Sequence, residues 1–315
     1  MKRKEKWMVA LDLRRDTGSL MQQVAFLAKT WLPSEIIFTY VQMQLEIPKE
    51  VLSDIPDLQV PDTKGYEQKL KQLVSETFDA EQKVDIHILT GSPLTQMLKL
   101  ASQKNVDLIC MGRTDINKVG VLAQKMVRKA PCSVMLIPPR KSFEINSVIV
   151  PVDFSEYSDL ALSMLNMMEE DTSGLQIHAL HVYKDASKYL DQVFETIDEI
   201  NEILSKRTVI NKQLEKYAQH ALEDYLKKKG KSSVQKHIAA VERGQRISEP
   251  IDKLIDQLNT DLVIIGSKGK SMSAASLLGE VSENVFKNSG QHIALVLKQK
   301  GENQSFLKSL LGLTG

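Results

Sequence analysis

Thr260-Asp-Leu-Val-Ile-Ile-Gly266 repeats an earlier stretch of the same chain, Val106-Asp-Leu-Ile-Cys-Met-Gly112, with its acid and its glycine in the same places. The two lie 154 positions apart (266 − 112). Each is a short apolar run closed by a glycine, which reads as a buried strand ending in a turn. The correspondence extends outward from this pair. Lys6-Trp-Met-Val-Ala-Leu-Asp12 matches Ser147-Val-Ile-Val-Pro-Val-Asp153 at an offset of 141 (153 − 12). Val134-Met-Leu-Ile137 matches Ile293-Ala-Leu-Val296 at 159 (293 − 134). The chain is a duplicated domain. The growing offset places about 13 inserted residues (154 − 141) between the first strand and the Asp-Leu strand of the second copy. Another 5 (159 − 154) fall directly after Gly266.

Each copy alternates short apolar runs with segments of helical period, the pattern of a mostly parallel sheet covered on both faces. The fold class is α/β, with two tandem doubly wound domains. Strands are expected near 7–12, 35–42, 83–89, 106–111 and 133–137, and again near 147–153, 175–182, 234–241, 261–265 and 292–297. Residues 43–62 carry Pro48, Pro56 and Pro61 and read as a loop, followed by a helix to about Phe78. Ser155 is placed to cap a helix running to about Met168, with Ser158 in its first turn. The stretch 185–229 has apolar residues at helical spacing and reads as one or two long helices. Pro138-Pro139-Arg-Lys141 is the natural linker. The expected domains are 1–141 and 142–300, followed by a tail, 301–315.

Composition narrows the function. In 315 residues, 41 Lys plus Arg balance 40 Asp plus Glu, which argues against a protein that coats nucleic acid. A hydrophobic fraction of 42 % excludes wholesale disorder. Cys110 and Cys132 are too few for a disulfide framework or a zinc site and suit a reducing compartment. No apolar run reaches the roughly 18 residues that a membrane span needs. The basic start is followed by too short an apolar run for a signal peptide. A cytoplasmic location is expected.

The strongest chemical signal is Gly266-Ser-Lys-Gly269-Lys-Ser-Met-Ser-Ala-Ala-Ser-Leu-Leu-Gly279-Glu-Val-Ser282. A strand enters this loop and a helix of about 279–288 leaves it. Glycines let backbone N–H groups approach an anion, and the helix N-terminus adds a favourable dipole. The ordinary alternative is a polar surface loop. Its place at the end of a core strand, with Lys268 and Lys270, favours the anion site. It is not a Walker A loop, because the required first glycine is Ile264. Nor is it the dinucleotide fingerprint, which follows a first strand; here that position holds Asp153-Phe-Ser-Glu.

The spacing G-x2-G-x9-G of Gly266, Gly269 and Gly279 fits another pattern. With Pro151-Val-Asp153 and His181-Val182-Tyr closing the first two strands, it resembles the universal stress protein family. The resemblance covers residues 6–138 and 145–298. It implies a Rossmann-like sheet of five parallel strands in the order 3-2-1-4-5, and dimers joined through the fifth strands. It also implies an adenine-nucleotide site (ATP, ADP or AMP). Carried onto this chain, Pro151, Val152 and Asp153 would line the adenosine pocket, with Val182 against the base. Ile265 and Gly266 would lie near ribose and phosphates, and Gly269, Gly279, Val281 and Ser282 around the phosphate chain. One departure stands out: the family follows the last glycine with Ser or Thr, and this chain has Glu280. A carboxylate there repels a triphosphate unless Mg²⁺ or Lys270 lies between.

The first copy departs further. Gly120 falls at the last motif glycine, but Asp115 replaces the second and Val121 replaces the hydroxyl residue. The loop is five residues shorter (159 − 154) and its first strand lacks the proline, although Asp12 and Val41 match. That site is expected to be empty or to take something smaller, leaving the first copy as a structural pseudo-dimer partner. His178 and His181, three apart on a strand, face opposite ways and share no metal. The other histidines show no near partner in sequence, and no nucleophile elbow is present. The 185–229 segment reads as a solvated helix face or a lid, and the apolar tail around Phe306 and Leu307 as a frayed end or a docking segment. The leading expectation is a non-enzymatic stress-response protein with an adenine nucleotide in its second copy, with no nucleic-acid or membrane partner. The alternatives are a nucleotide-free dimeric scaffold and a slow nucleotide hydrolase.

Overall fold

The computed structural model describes residues 5–13, 17–43, 63–113, 118–139, 143–169, 174–189, 197–270 and 276–310. In the N-terminal unit the apolar runs form β1 (Lys6–Leu11), β2 (Glu35–Gln42), β3 (Val84–Thr90), β4 (Leu108–Gly112) and β5 (Ser133–Ile137). All pair in parallel, in the order β3-β2-β1-β4-β5. Parallel strands need crossovers, supplied by α1 (Gly18–Trp31), α2 (Thr63–Thr77), α3 (Pro93–Lys104) and α4 (Val121–Lys129). Helices on both faces explain why β1 and β4 are apolar without alternation, with Trp7, Met8, Val9, Ile109 and Cys110 fully buried. Trp7 meets Trp31 of α1 edge-on at 5.7 Å. The outer strand β3 is half-exposed along its length. The proline-bearing loop at 44–62 and Asp115 lie outside the described residues.

The C-terminal unit repeats the plan. Its strands are β6 (Ser147–Pro151), β7 (Gln176–Lys184), β8 (Gln235–Val241), β9 (Leu262–Gly266) and β10 (Ile293–Leu297). Their parallel order, β8-β7-β6-β9-β10, is the same 3-2-1-4-5 arrangement. The helices are α5 (Glu156–Glu169), α6 (Ile197–Lys228), α7 (Ser248–Gln257) and α8 (Glu280–Asn288). Ser155 caps α5, its Oγ accepting from the Ser158 amide at 3.3 Å. The extended segment is one helix of 32 residues among those described, rather than two. Ala218, Leu222 and Leu226 on one face of α6 are buried. Its N-terminal part is tied to the end of β7: Arg207 pairs with buried Asp185 at 2.8 Å, and the Ala186 amide donates to Asn211 Oδ1 at 2.7 Å.

The chain divides between Phe143 and Glu144, and Lys298–Gly315 cluster with the N-terminal unit rather than with β10. A short helix, α9 (Gln304–Leu310), forms where a tail with a fraying end was one expectation. The reason is polar and local. Lys298 Nζ and Asn303 Nδ2 both donate to the Arg128 and Ala130 carbonyls at the end of α4, where a helix cannot supply its own donors. Lys300 pairs with Asp107 at 3.0 Å, Leu307 is buried, and Lys129 Nζ lies 5.4 Å from the Phe306 ring centre.

Candidate functional site

Parallel strands put all their carboxyl ends on one edge, and there the C-terminal unit has a cavity of about 420 Å³. β6 and the turn after it supply Pro151, Val152 and Asp153, and β7 supplies Val182. β9 ends there in Ile265 and Gly266, Gly269 follows, and the start of α8 adds Gly279, Val281 and Ser282. Every residue transferred from the family motif therefore faces one space. Leu180, Ile247 and Ile251 complete an apolar wall that the motif does not mention. The only sequence trace of Ile247, just before α7, and Ile251 within it is their i, i+4 apolar spacing.

Asp153 is the best-anchored polar group. Its Oδ1 accepts from the Ser155 amide at 3.1 Å, Ser155 Oγ at 2.5 Å and Ser158 Oγ at 2.7 Å. Oδ2 accepts from the Lys270 amide at 2.8 Å, which holds the glycine loop against the first strand. Burial pushes this carboxyl up, but the hydrogen bonds outweigh it and keep it below the ordinary aspartate value. The same crowding explains the glycines. A Cβ on Gly269 would come within 2.9 Å of Asp153 Oδ2, and one on Gly266 within 2.3 Å of Tyr157 Cβ. Only glycine lets α5 and the loop close on the strand end.

The far side of the cavity is the start of α8. The Gly279 amide donates to Ser267 O at 2.7 Å, pinching the two ends of the glycine loop together. Ser282 Oγ donates to Gly266 O at 2.5 Å, and buried Ser267 bonds through its amide to Leu297 O at 2.8 Å. Two groups expected around a phosphate chain are thus already engaged internally. The first-turn amides of α8 remain as anion donors, with Lys268 and Lys270 also lining the cavity. Glu280 is exposed on the rim at the first position of α8.

Behind Asp153 the backbone turns sharply at Phe154, whose φ of 62° is unusual for a bulky residue. Its ring packs on His181 at 4.4 Å and edge-on to Tyr225 of α6 at 5.2 Å. His181 Nδ1 bonds to Val152 O at 2.8 Å, and burial keeps this imidazole below its ordinary pKa. Tyr225 donates to Asp159 Oδ1 at 2.6 Å. The inserted helix thus buttresses the turn that carries Asp153, and no described residue of α6 lines the cavity as a lid would. Two histidines for which the sequence suggested no partner, His237 and His87, do have one: His237 meets His178 at 3.0 Å across β7 and β8, and His87 meets Asp85 at 2.9 Å two residues before it on β3. Among the described residues, no three His, Cys, Asp or Glu side chains group as a metal site would. No helix is long and apolar enough to cross a membrane among those residues.

The corresponding edge of the N-terminal unit has a cavity of about 220 Å³. Asp12, Gly112 and Gly120 line it, as their counterparts do in the second copy, but no described residue of β2 does.

Comparison with known proteins agrees with the repeat. The profile of the universal stress protein family matches residues 5–138 and again 144–296. The universal stress protein MJ0577 of Methanocaldococcus jannaschii is 26 % identical over 165 residues, spanning 49 % of this chain and 94 % of that protein. Two solved structures share the fold. A protein of unknown function from Pseudomonas aeruginosa, PA1789, superposes with a TM-score of 0.68 at 14 % identity, over 99 % of each chain. A universal stress protein from Archaeoglobus fulgidus does so at 0.60 and 17 % identity, over 94 % of this chain and 99 % of that one.

Proposed function

The chain belongs to the universal stress protein family, and we propose that it is a non-enzymatic member that binds one adenine nucleotide in its C-terminal unit. The observation that carries this reading is the convergence of the three motif glycines and Asp153 on one cavity at the strand ends. The apolar wall of Val182, Leu180 and Ile251 suits a flat base. Asp153, held ionised by its serines, suits ribose hydroxyls as an acceptor. The tight approaches at Gly266 and Gly269 hold the glycine loop against Tyr157 and Asp153, at the edge of the cavity that both glycines line. A bound nucleotide would supply charge at the strand ends, and signalling would follow from the population shift that its binding causes. The residues here orient and hold. Neither hydrolysis nor adenylyl transfer is part of the reading.

Internal engagement of Gly279 and Ser282, and the exposed Glu280, favour nucleotides whose outer phosphates are few or are screened by Mg²⁺. Pairing of two chains through fifth strands belongs to the same reading and is checked by mass in solution. The nucleotide itself is tested by denaturing the purified protein and identifying what is released by mass spectrometry. AMP, ADP or ATP is expected. Protein that releases no nucleotide and takes none up from solution would favour the scaffold reading instead.

A further inference from the structure

The turn after β6 is held from outside the cavity as well as from within. Phe154, next to Asp153, has a φ of 62°, a left-handed conformation that a bulky residue keeps only where its surroundings impose it. Leu13, its counterpart after Asp12 in the first copy, has no left-handed φ. This reversal brings Ser155 and Ser158 round to Asp153 Oδ1. Two aromatic partners hold it. The Phe154 ring lies 4.4 Å from His181 and meets Tyr225 edge-on at 5.2 Å. His181 donates from Nδ1 to Val152 O at 2.8 Å, because a carbonyl can only accept, and so grips both neighbours of Asp153. Tyr225 comes from α6, 32 residues long where the corresponding α2 of the first copy has 15. Its hydroxyl donates to Asp159 Oδ1 of α5 at 2.6 Å, and Lys229 Nζ pairs with the same oxygen at 2.7 Å. The Asp159 amide in turn donates to Ser155 O at 3.1 Å. One side chain of α6 therefore touches both the turn that carries Asp153 and the helix start that supplies its serines.

We propose that Tyr225 is a positioning residue for Asp153 and couples the inserted helix to the nucleotide site. Its ring edge keeps Phe154 in the left-handed turn, and its hydroxyl keeps α5, with Ser155 and Ser158, in register with the carboxylate. Asp153 is then set in one orientation before a ribose arrives, which spares the ligand the cost of ordering it. The inference rests on the nucleotide reading above and adds to it a means of control. No described residue of α6 lines the cavity, so the effect passes through Phe154 and Asp159 rather than by contact with the ligand. Coupling between two sites is reciprocal: a partner that displaced α6 would loosen the nucleotide, and the nucleotide would weaken that partner by the same factor.

The test uses the full chain and two probes, AMP and its 2′,3′-dideoxy analogue, which lacks the hydroxyls that Asp153 would accept from. Calorimetry should show Tyr225→Leu binding AMP about tenfold more weakly, the effect of one hydrogen bond lost from a mispositioned carboxylate. The dideoxy analogue should change by about twofold or less, and Tyr225→Leu should add nothing to Asp153→Asn. Without any nucleotide, the Asp153 carboxyl carbon followed by NMR should titrate higher in Tyr225→Leu, because the serine bonds that hold it below its ordinary value are loosened. Equal losses for the two probes, or a loss undiminished in Asp153→Asn, would overturn the proposal, since a merely supporting residue acts on both alike. If the unaltered chain takes up neither probe, the nucleotide reading falls and the titration decides: a raised Asp153 supports the positioning, an unmoved one overturns it. Should Tyr225→Leu fail to fold, Tyr225→Phe carries the same comparisons, with a loss of about threefold expected for AMP alone.

Discussion

Replacing Glu280 with threonine tests how phosphates lie across the C-terminal cavity. Glu280 occupies the first position of α8, is exposed, and shares the cavity rim with Lys268 and Lys270. In water-like surroundings two unit charges about 4 Å apart interact by about 1 kcal/mol. Each phosphate charge held that close to Glu280 therefore costs about fivefold in affinity. AMP, whose single phosphate stays near the ribose, should gain about twofold or less from Glu280→Thr. ATP, whose outer phosphates reach toward α8, should gain about fivefold. The gain should shrink with added salt, because an exposed pair is screened. Losing a carboxylate from the first turn removes a favourable helix-dipole interaction of about 0.3–1 kcal/mol, so slightly lower stability is expected alongside tighter binding. Calorimetric titration of AMP, ADP and ATP against both proteins at two ionic strengths reads all of this. An equal gain for all three nucleotides, or none for ATP, would refute the placement of the phosphates beside α8. Gly266 makes a poorer probe. A Cβ there runs into Tyr157 at 2.3 Å, so any substitution disturbs α5 before it reports on a ligand.

Three other expectations follow from the packing. Leu307→Ala should lower the stability of the N-terminal unit by about 2 kcal/mol, because the side chain is buried there although it follows β10 in sequence; denaturant melts measure this, and an unchanged midpoint would mean that α9 does not dock in solution. Burial pushes the Cys132 thiol up to about 12 and that of Cys110 up as well, so neither should react with a thiol reagent at pH 8 until the chain unfolds. The hydrogen bond from Lys104, aided by His87 against the opposing effect of burial, holds Asp85 down to about 2. A depressed carboxyl stabilises the fold above its unfolded pKa, and that contribution fades as pH falls from about 4 toward about 2. Asp85→Asn should flatten this part of the acid titration, followed by circular dichroism; an identical acid limb would show that the pair contributes nothing.

Strands were the most legible part of the sequence. Buried parallel strands are unbroken apolar runs, and the duplication allowed each run to be checked against its twin. The site was legible for a related reason: Asp153, Gly266 and Gly269 are dictated by backbone turns and close approaches, which leave marks at fixed spacing. Contacts made by distant side chains left no such mark. His178 finds His237 only because β7 and β8 lie side by side, 59 positions apart along the chain. The docking of α9 depends on carbonyls at the end of α4 that accept from Lys298 and Asn303 about 170 positions later, an arrangement that no local period encodes. Tyr225 gave no signal either. Its hold on the turn after Asp153 is visible only once α6 stands beside Phe154.

The central claim is one nucleotide site per chain, in the second copy alone. Equilibrium dialysis of the intact protein against labelled ATP, ADP and AMP tests it most directly. One nucleotide bound per chain, with Asp153→Asn weakening it and Asp12→Asn leaving it unchanged, is the predicted result. Two per chain, or none at any concentration up to the millimolar range, would contradict it.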